Sequence, residues 1–338
     1  MFDVIQAPSR QPGRGRSLFG GPAALLTALL LAACSAAASP AATPTPTATT
    51  APVPTASASP VAIAAFPVTL TDDEGTVVTL ASMPQRIVSL SPANTETIFA
   101  LGAGARLVGG TDADDYPSAA AAITHVATYQ GVLMEQLVTV HPDLVLALGN
   151  GAKTPPDVIK IRDMGIPVLV LYAADVPGVL HDIELIGAAV GAGPEAFAIT
   201  SAMQARIRAI SAVTAPLEHP RTFYELGADP VIYGPAKGNF TVGMIALAGG
   251  DAVVADDDYT ISLEKLVTAD PQVIVLGDAN YGTTPAQVAA RPGWAGISAV
   301  KTGALRPVDD IIVTRPGPRL AEGLAALALA IHPDLVLP

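Results

Sequence analysis

Apolar residues in this chain come in short runs, unbroken at Leu144–Leu148, Val168–Leu171 and Val273–Leu276 and interrupted by Ser89 alone at residues 87–90. A run without polar alternation suits a strand covered on both faces, the pattern of a parallel sheet in an α/β fold. Helical segments fall between the runs. Ser91 before Pro92 marks a helix start that carries to Ala100, with Gly102-Ala-Gly104 as its stop. A strand at residues 107–110 follows, then helices at Met134–Thr139 and residues 157–164. Residues 66–70 and 76–80 flank Asp72-Asp-Glu-Gly75 and predict an opening hairpin.

Strands then vanish over residues 176–215. Two helical patterns, Val176–Val190 and residues 194–213, meet at Gly191-Ala-Gly193. Gly191 suits a helix terminator and Pro194 a first helical turn. A helix of about 20 residues is roughly 30 Å long, enough to act as a stiff spine between two bodies. Alternation resumes with a strand at 222–226, a helix near 242–248 and a last helix after Pro318.

One pattern occurs twice. Leu133-Met-Glu-Gln-Leu-Val-Thr-Val-His-Pro-Asp-Leu-Val-Leu146 returns loosely as Ser262-Leu-Glu-Lys-Leu-Val-Thr-Ala-Asp-Pro-Gln-Val-Ile-Val275. Apolar residues flank Glu135 and Glu264 at helical spacing, so each carboxylate points outward from a short helix that a Pro then closes. The predicted fold is α/β: two similar lobes with parallel-type sheets, joined by a long interlobe backbone helix. The lobes span residues 66–175 and 216–338, with the helical segment at 176–215.

The beginning of the chain reads differently. Arg10, Arg14 and Arg16 precede an apolar stretch that ends in Leu31-Ala-Ala-Cys34, the pattern of a secretory signal over residues 1–33. Gly20-Gly21-Pro22 shortens the stretch below the ~20 residues of a spanning helix. Cys34 resembles the lipidation site of a lipobox, and as the single cysteine it leaves no internal disulfide. Residues 34–65, almost all Ala, Ser, Thr and Pro, predict a disordered tether. Loss of the three Arg and Asp3 with the signal takes the net charge from −12 to −14. So acidic a body repels nucleic acid and anionic lipid, leaving membrane contact to the lipid anchor alone.

Seven further stretches carry a resemblance. They are Arg86-Ile-Val-Ser-Leu-Ser-Pro-Ala-Asn-Thr-Glu96, Leu101-Gly-Ala-Gly104 with Leu107-Val-Gly109, Asp115-Tyr-Pro117, Tyr129-Gln-Gly131, Arg291-Pro-Gly-Trp294, Ala299-Val-Lys301 and Arg315-Pro-Gly-Pro-Arg319. With the two Glu-bearing repeats, the chain resembles the substrate-binding lipoproteins of ABC importers, in the helical-backbone class that handles cobalamin and ferric siderophores. The resemblance implies an extracytoplasmic binding protein with no catalytic residues and no cofactor, which delivers a chelate to a permease dimer. It implies that Glu135 and Glu264 meet arginines of the paired permease subunits. It also places Tyr129 where a ring packs on a corrin-type ligand, and Asp310 to Arg315 at the wall of the second lobe.

Phe240 and Tyr259 are additional aromatic candidates from second-lobe loops, since flat apolar macrocycles suit aromatic faces. Arg315 is read as a contact for anionic ligand groups, as a cap for the last helix's neighbour, or as a partner of Asp309. Asp112-Ala-Asp-Asp115 reads as a solvated turn, the alternative being an acidic site that suits a cationic or hydroxyl-rich ligand better than a corrin face, and Asp256-Asp-Asp258 reads as a solvated loop beside the cleft. The five histidines show no zinc spacing, and Gly191-x-Gly follows a helical segment where a dinucleotide site needs a strand. A corrinoid is the expected ligand, with a ferric siderophore or haem as the alternative. A secreted α/β lyase or chelatase is the reading from a different class.

Overall fold

A computed structural model describes residues 66–151 and 153–338, all within one compact unit. Cys34, the signal and the tether lie outside the described residues. The chain enters through an antiparallel hairpin, β1 (Val68–Thr71) and β2 (Val77–Leu80). Asp72 shapes its turn by accepting from Glu74 N and Thr76 N at 3.1 and 2.7 Å. Next come β3 (Ile87–Ser89), α1 (Pro92–Ala100), β4 (Leu107–Thr111), β5 (His125–Thr128), β6 (Gly131–Val132), α2 (Met134–Thr139), β7 (Leu144–Leu148), α3 (Pro156–Asp163) and β8 (Val168–Leu171). These strands form a six-stranded sheet of order β6-β5-β4-β3-β7-β8, parallel except for β6.

The unbroken apolar runs follow from what covers the sheet. Ile87, Leu144, Leu146, Leu169 and Leu171 face the large core. Their neighbours Val88, Val145, Ala147, Val168 and Val170 face a second cluster with Leu137 of α2 and Val158 and Ile161 of α3. Both faces are dry, so in β7 and β8 neither set of alternate positions is polar.

Two helices then run without a strand, α4 (Val176–Val190) and α5 (Gly193–Thr214). Gly191 ends α4 in the left-handed region at φ 72°. The 22 residues of α5 make a rod of about 33 Å. The rest comprises β9 (Arg221–Glu225), β10 (Ile232–Tyr233), α6 (Phe240–Leu247), β11 (Asp251–Val253), β12 (Thr260–Ile261), α7 (Leu263–Ala269), β13 (Val273–Leu276), α8 (Pro285–Ala289), α9 (Ser298–Thr302), β14 (Leu305–Pro307), α10 (Asp310–Thr314) and α11 (Leu320–Ile331). The second sheet, β11-β9-β13-β14, is all parallel, and β10 and β12 form a separate antiparallel pair. Because α5 packs on α4 and α11, one continuous core passes from the first sheet through the spine to the second.

The internal repeat extends into the hydrogen bonding. β4-β3-β7-β8 in the first half and β11-β9-β13-β14 in the second share one strand order. Ahead of β3, Arg86 Nε donates to Val140 O and His141 O, both at 3.0 Å. At the start of β9, Arg221 Nε donates to Ala269 O and Asp270 O at 2.9 and 3.0 Å. His141 and Asp270 both hold positive φ, 45° and 43°, and a proline follows each. A helix cannot run into proline without a clash, so each ends in a left-handed residue whose freed carbonyl an arginine collects.

Candidate functional site

Parallel α/β sheets gather ligands at the carboxyl ends of their strands. In the first half those ends lead to α1, to residues 112–117 after β4, and to Tyr129 after β5. In the second half they lead to residues 254–259 after β11, to residues 277–281 after β13, and to α10 after β14. Side chains from the two sets touch. Arg315 Nη1, just past α10, donates to Glu96 Oε1 of α1 at 2.8 Å and to Asp115 Oδ1 at 2.6 Å. Arg319 holds the same glutamate through Nε to Oε2 at 2.8 Å and Nη2 to Oε1 at 2.6 Å. Its guanidinium lies 4.1 Å from the centre of the Tyr116 ring. The strand ends of the two halves therefore face each other across a seam of two arginines and two carboxylates.

Glu96 is buried at the centre of this seam. Burial works against the Arg315 charge, but its bonds to Asp115 and Glu96 outweigh that and hold the guanidinium above its ordinary value. Asp115 is correspondingly lowered: burial opposes ionisation, and the Arg315 bond and charge overcome it. Sequence reasoning quoted Glu96 only inside a motif, and it left Arg315 between a ligand, a helix cap and Asp309. Asp309 instead caps α10 at Ile311 N, 3.1 Å away, and accepts from Asn280 Nδ2 at 3.0 Å.

Tyr129 stands 91% exposed beyond β5, and its hydroxyl accepts from Gln130 Nε2 at 3.0 Å. Tyr259 is exposed after β11 and holds a positive φ of 65°. Sequence reasoning missed Tyr281, 79% exposed at the end of the segment after β13. The signal for it was available, an aromatic closing the segment after a doubly buried strand. All three tyrosines stand exposed in segments that follow the carboxyl ends of sheet strands, and an exposed ring has an apolar face to offer a ligand.

Two readings are corrected. Phe240 lies in no loop: Asn239 accepts from Thr241 N at 2.9 Å and starts α6 two residues earlier than predicted, burying the ring in the core. Phe240 therefore leaves the ligand set. Asp112 to Asp115 is only partly solvated. Asp114 is buried and accepts from Thr111 N at 3.0 Å, Thr111 Oγ1 at 2.8 Å and Thr95 Oγ1 at 2.8 Å. Ser91 holds the N-cap position of α1 without a side-chain capping bond.

Asp310 is spent on bracing the second half. Tyr224 Oη donates to its Oδ1 at 2.7 Å and Thr314 Oγ1 to its Oδ2 at 3.1 Å. Burial raises the Asp310 carboxyl, and those two bonds oppose the rise. Beneath it Glu225 ends β9 fully buried, with Arg291 Nη1 at 2.7 Å. Burial pushes the Glu225 carboxyl up to about 7 against the pull of Arg291.

Glu135 and Glu264 occupy the first turns of α2 and α7, both exposed, at matching places in the two halves. A carboxylate there is favoured by the helix dipole, which explains its local stability without assigning a partner.

A family model described as periplasmic binding protein matches residues 87–310. The chain is 36% identical over 276 residues to the uncharacterized ABC transporter substrate-binding lipoprotein YvrC of Bacillus subtilis, covering 80% of this chain and 87% of that one. It is 33% identical over 281 residues to a cobalamin-binding protein of Halobacterium salinarum, covering 79% and 75%. A periplasmic heme-binding protein from Roseiflexus sp. RS-1, solved in apo form, superposes with a TM-score of 0.65 at 25% identity, over 74% of this chain and 98% of the other.

Proposed function

The chain belongs to the periplasmic binding protein family, whose members carry solutes and are not enzymes, and we propose that it captures cobalamin or a related corrinoid for an ABC importer. One observation carries this reading: Tyr129, Tyr259 and Tyr281 stand exposed in segments that follow β5, β11 and β13, strands of the two sheets whose end segments meet at the seam. A corrin ring is broad, flat and apolar, with amides at its edge, and matches aromatic walls over a polar floor. The likeness to a cobalamin-binding protein supports the same choice.

In this account Tyr129 and Tyr259 pack on the ligand, Asp310 and Arg315 shape the second-half wall, and the paired Glu135 and Glu264 dock on the permease dimer. The lipid on Cys34 tethers the protein outside the cytoplasm. A ferric siderophore or haem is the second reading, supported by the likeness to a heme-binding structure and by tyrosine hydroxyls, which ligate ferric iron. Native mass spectrometry of residues 66–338 with cobalamin, cobinamide, haemin and ferric siderophores tests the choice. One corrinoid per chain is expected; binding of haemin or a siderophore alone moves the assignment to the second reading, and binding of none refutes both.

A further inference from the structure

The two carboxylates on Arg315 differ in one respect. Both bond the same nitrogen, but the Glu96 side chain is 3% exposed and the Asp115 side chain 52% exposed. Arg319 shares Glu96, so two carboxylates balance two guanidinium groups and the seam has no net positive charge to offer. Asp115 is also held in place. Its neighbour Asp114 is buried and takes three hydrogen bonds from Thr111 and Thr95, which pins the segment after β4 at the point where Asp115 projects. The exposed side of Arg315 is thus occupied by a carboxylate belonging to the protein, and a carboxylate on a ligand has to displace it to reach the guanidinium.

We propose that Asp115 is a specificity-determining residue, which occupies Arg315 and makes the cleft reject chelates with peripheral carboxylates in favour of those with peripheral amides. The inference rests on the reading that a chelate sits between the facing strand ends. Its chemistry is that of donors and acceptors. An amide N–H donates to the Asp115 carboxylate, whereas a ligand carboxylate has no proton to donate and meets it charge against charge. Discrimination built from a repulsive element needs no extra contact with the preferred ligand.

The test uses ligand pairs that share a macrocycle and differ in charge. These are cobalamin with its monocarboxylate, in which one side-chain amide is hydrolysed, and haemin dimethyl ester with haemin. Dissociation constants are measured for the chain over residues 66–338, for Asp115→Asn and for Asp115→Asn with Arg315→Gln. Wild type is expected to prefer the uncharged member by about 10-fold, equivalent to ~1.4 kcal/mol. In Asp115→Asn that preference falls to within about 2-fold or reverses, because Arg315 is released to the anion. In the double variant the gain for the anion is lost. An absent preference in wild type, or the same preference in Asp115→Asn, overturns the proposal while leaving the binding function intact. Failure of every member of both pairs to bind wild type removes the chelate reading itself, and this inference with it.

Discussion

Replacing Glu96 with glutamine removes the charge on which three guanidinium bonds converge, at 2.6 to 2.8 Å. Glutamine keeps one acceptor oxygen but turns an NH2 toward a donor of Arg315 or Arg319. Removing one partner of a buried ion pair costs about 3–5 kcal/mol, mostly from the charge left behind. Two features lower that here. Both arginine side chains keep 18% exposure, and Arg315 retains Asp115 at 2.6 Å. The loss expected for Glu96→Gln is therefore about 2–3 kcal/mol. Urea unfolding of residues 66–338 at pH 7, extrapolated linearly, reads it as a lower midpoint with an unchanged slope. Adding Arg319→Gln should cost less than the sum of the two single changes, since the stranded charge is then gone. A loss under about 1 kcal/mol, or strict additivity of the two changes, would show that the seam is solvated and does not brace the halves.

Asp182 is buried, and that burial, with Asp73 beside it, pushes its carboxyl from 3.8 up to about 9. A raised folded value costs nothing below the unfolded value and lowers stability as pH climbs toward the folded one. Asp182→Asn should thus match wild type at pH 4 and gain up to about 4 kcal/mol by pH 7, read from unfolding across that range; a pH-independent difference contradicts it. Tyr129→Ala should leave stability within about 0.5 kcal/mol and weaken ligand binding about 10-fold, since the ring touches little of the protein. Phe240→Ala should do the opposite, costing about 3 kcal/mol with ligand affinity intact. Calorimetry and unfolding on both variants check the pair, and a swapped outcome would return Phe240 to the cleft. Reversing both charges, Glu135→Lys with Glu264→Lys, should reduce cellular uptake to background while ligand affinity stays within about 2-fold. Uptake retained in that variant sinks the docking role.

Much of the fold was legible because its strands are buried on both faces. Leu144–Leu148 and Val273–Leu276 read as strands without any alternation, since each face meets its own cluster or helix layer. The repeat around Glu135 and Glu264 was legible for a related reason. Each half closes a short helix before a proline, and that geometry demands the same residues twice. The strands that escaped notice are short: β6, β10 and β12 have two residues each, β11 and β14 three and β5 four, so a period hardly shows. Their place comes from pairing partners and leaves no trace in local pattern.

The candidate site was legible only in part. Tyr129 stands in a loop after a strand, where an aromatic is conspicuous. Arg315 was visible as a candidate, but its partner is 219 positions away, and no local pattern reports such a pairing. Asp114 and Asp115 are adjacent and look alike in sequence. One points into the first half and binds Thr95, while the other points across the seam, and only the tertiary fold separates them. Phe240 failed for a smaller reason. The Asn239 cap set the start of α6 two residues early and carried the ring from an expected loop into the core.

Hydrogen–deuterium exchange with and without saturating cobalamin tests most directly whether a chelate seats between the two sets of strand ends. Slowed exchange is expected in both halves, at residues 129–131, 254–259 and 278–282, with α4 and α5 unchanged. Protection confined to one half, or centred on α4 and α5, would contradict it.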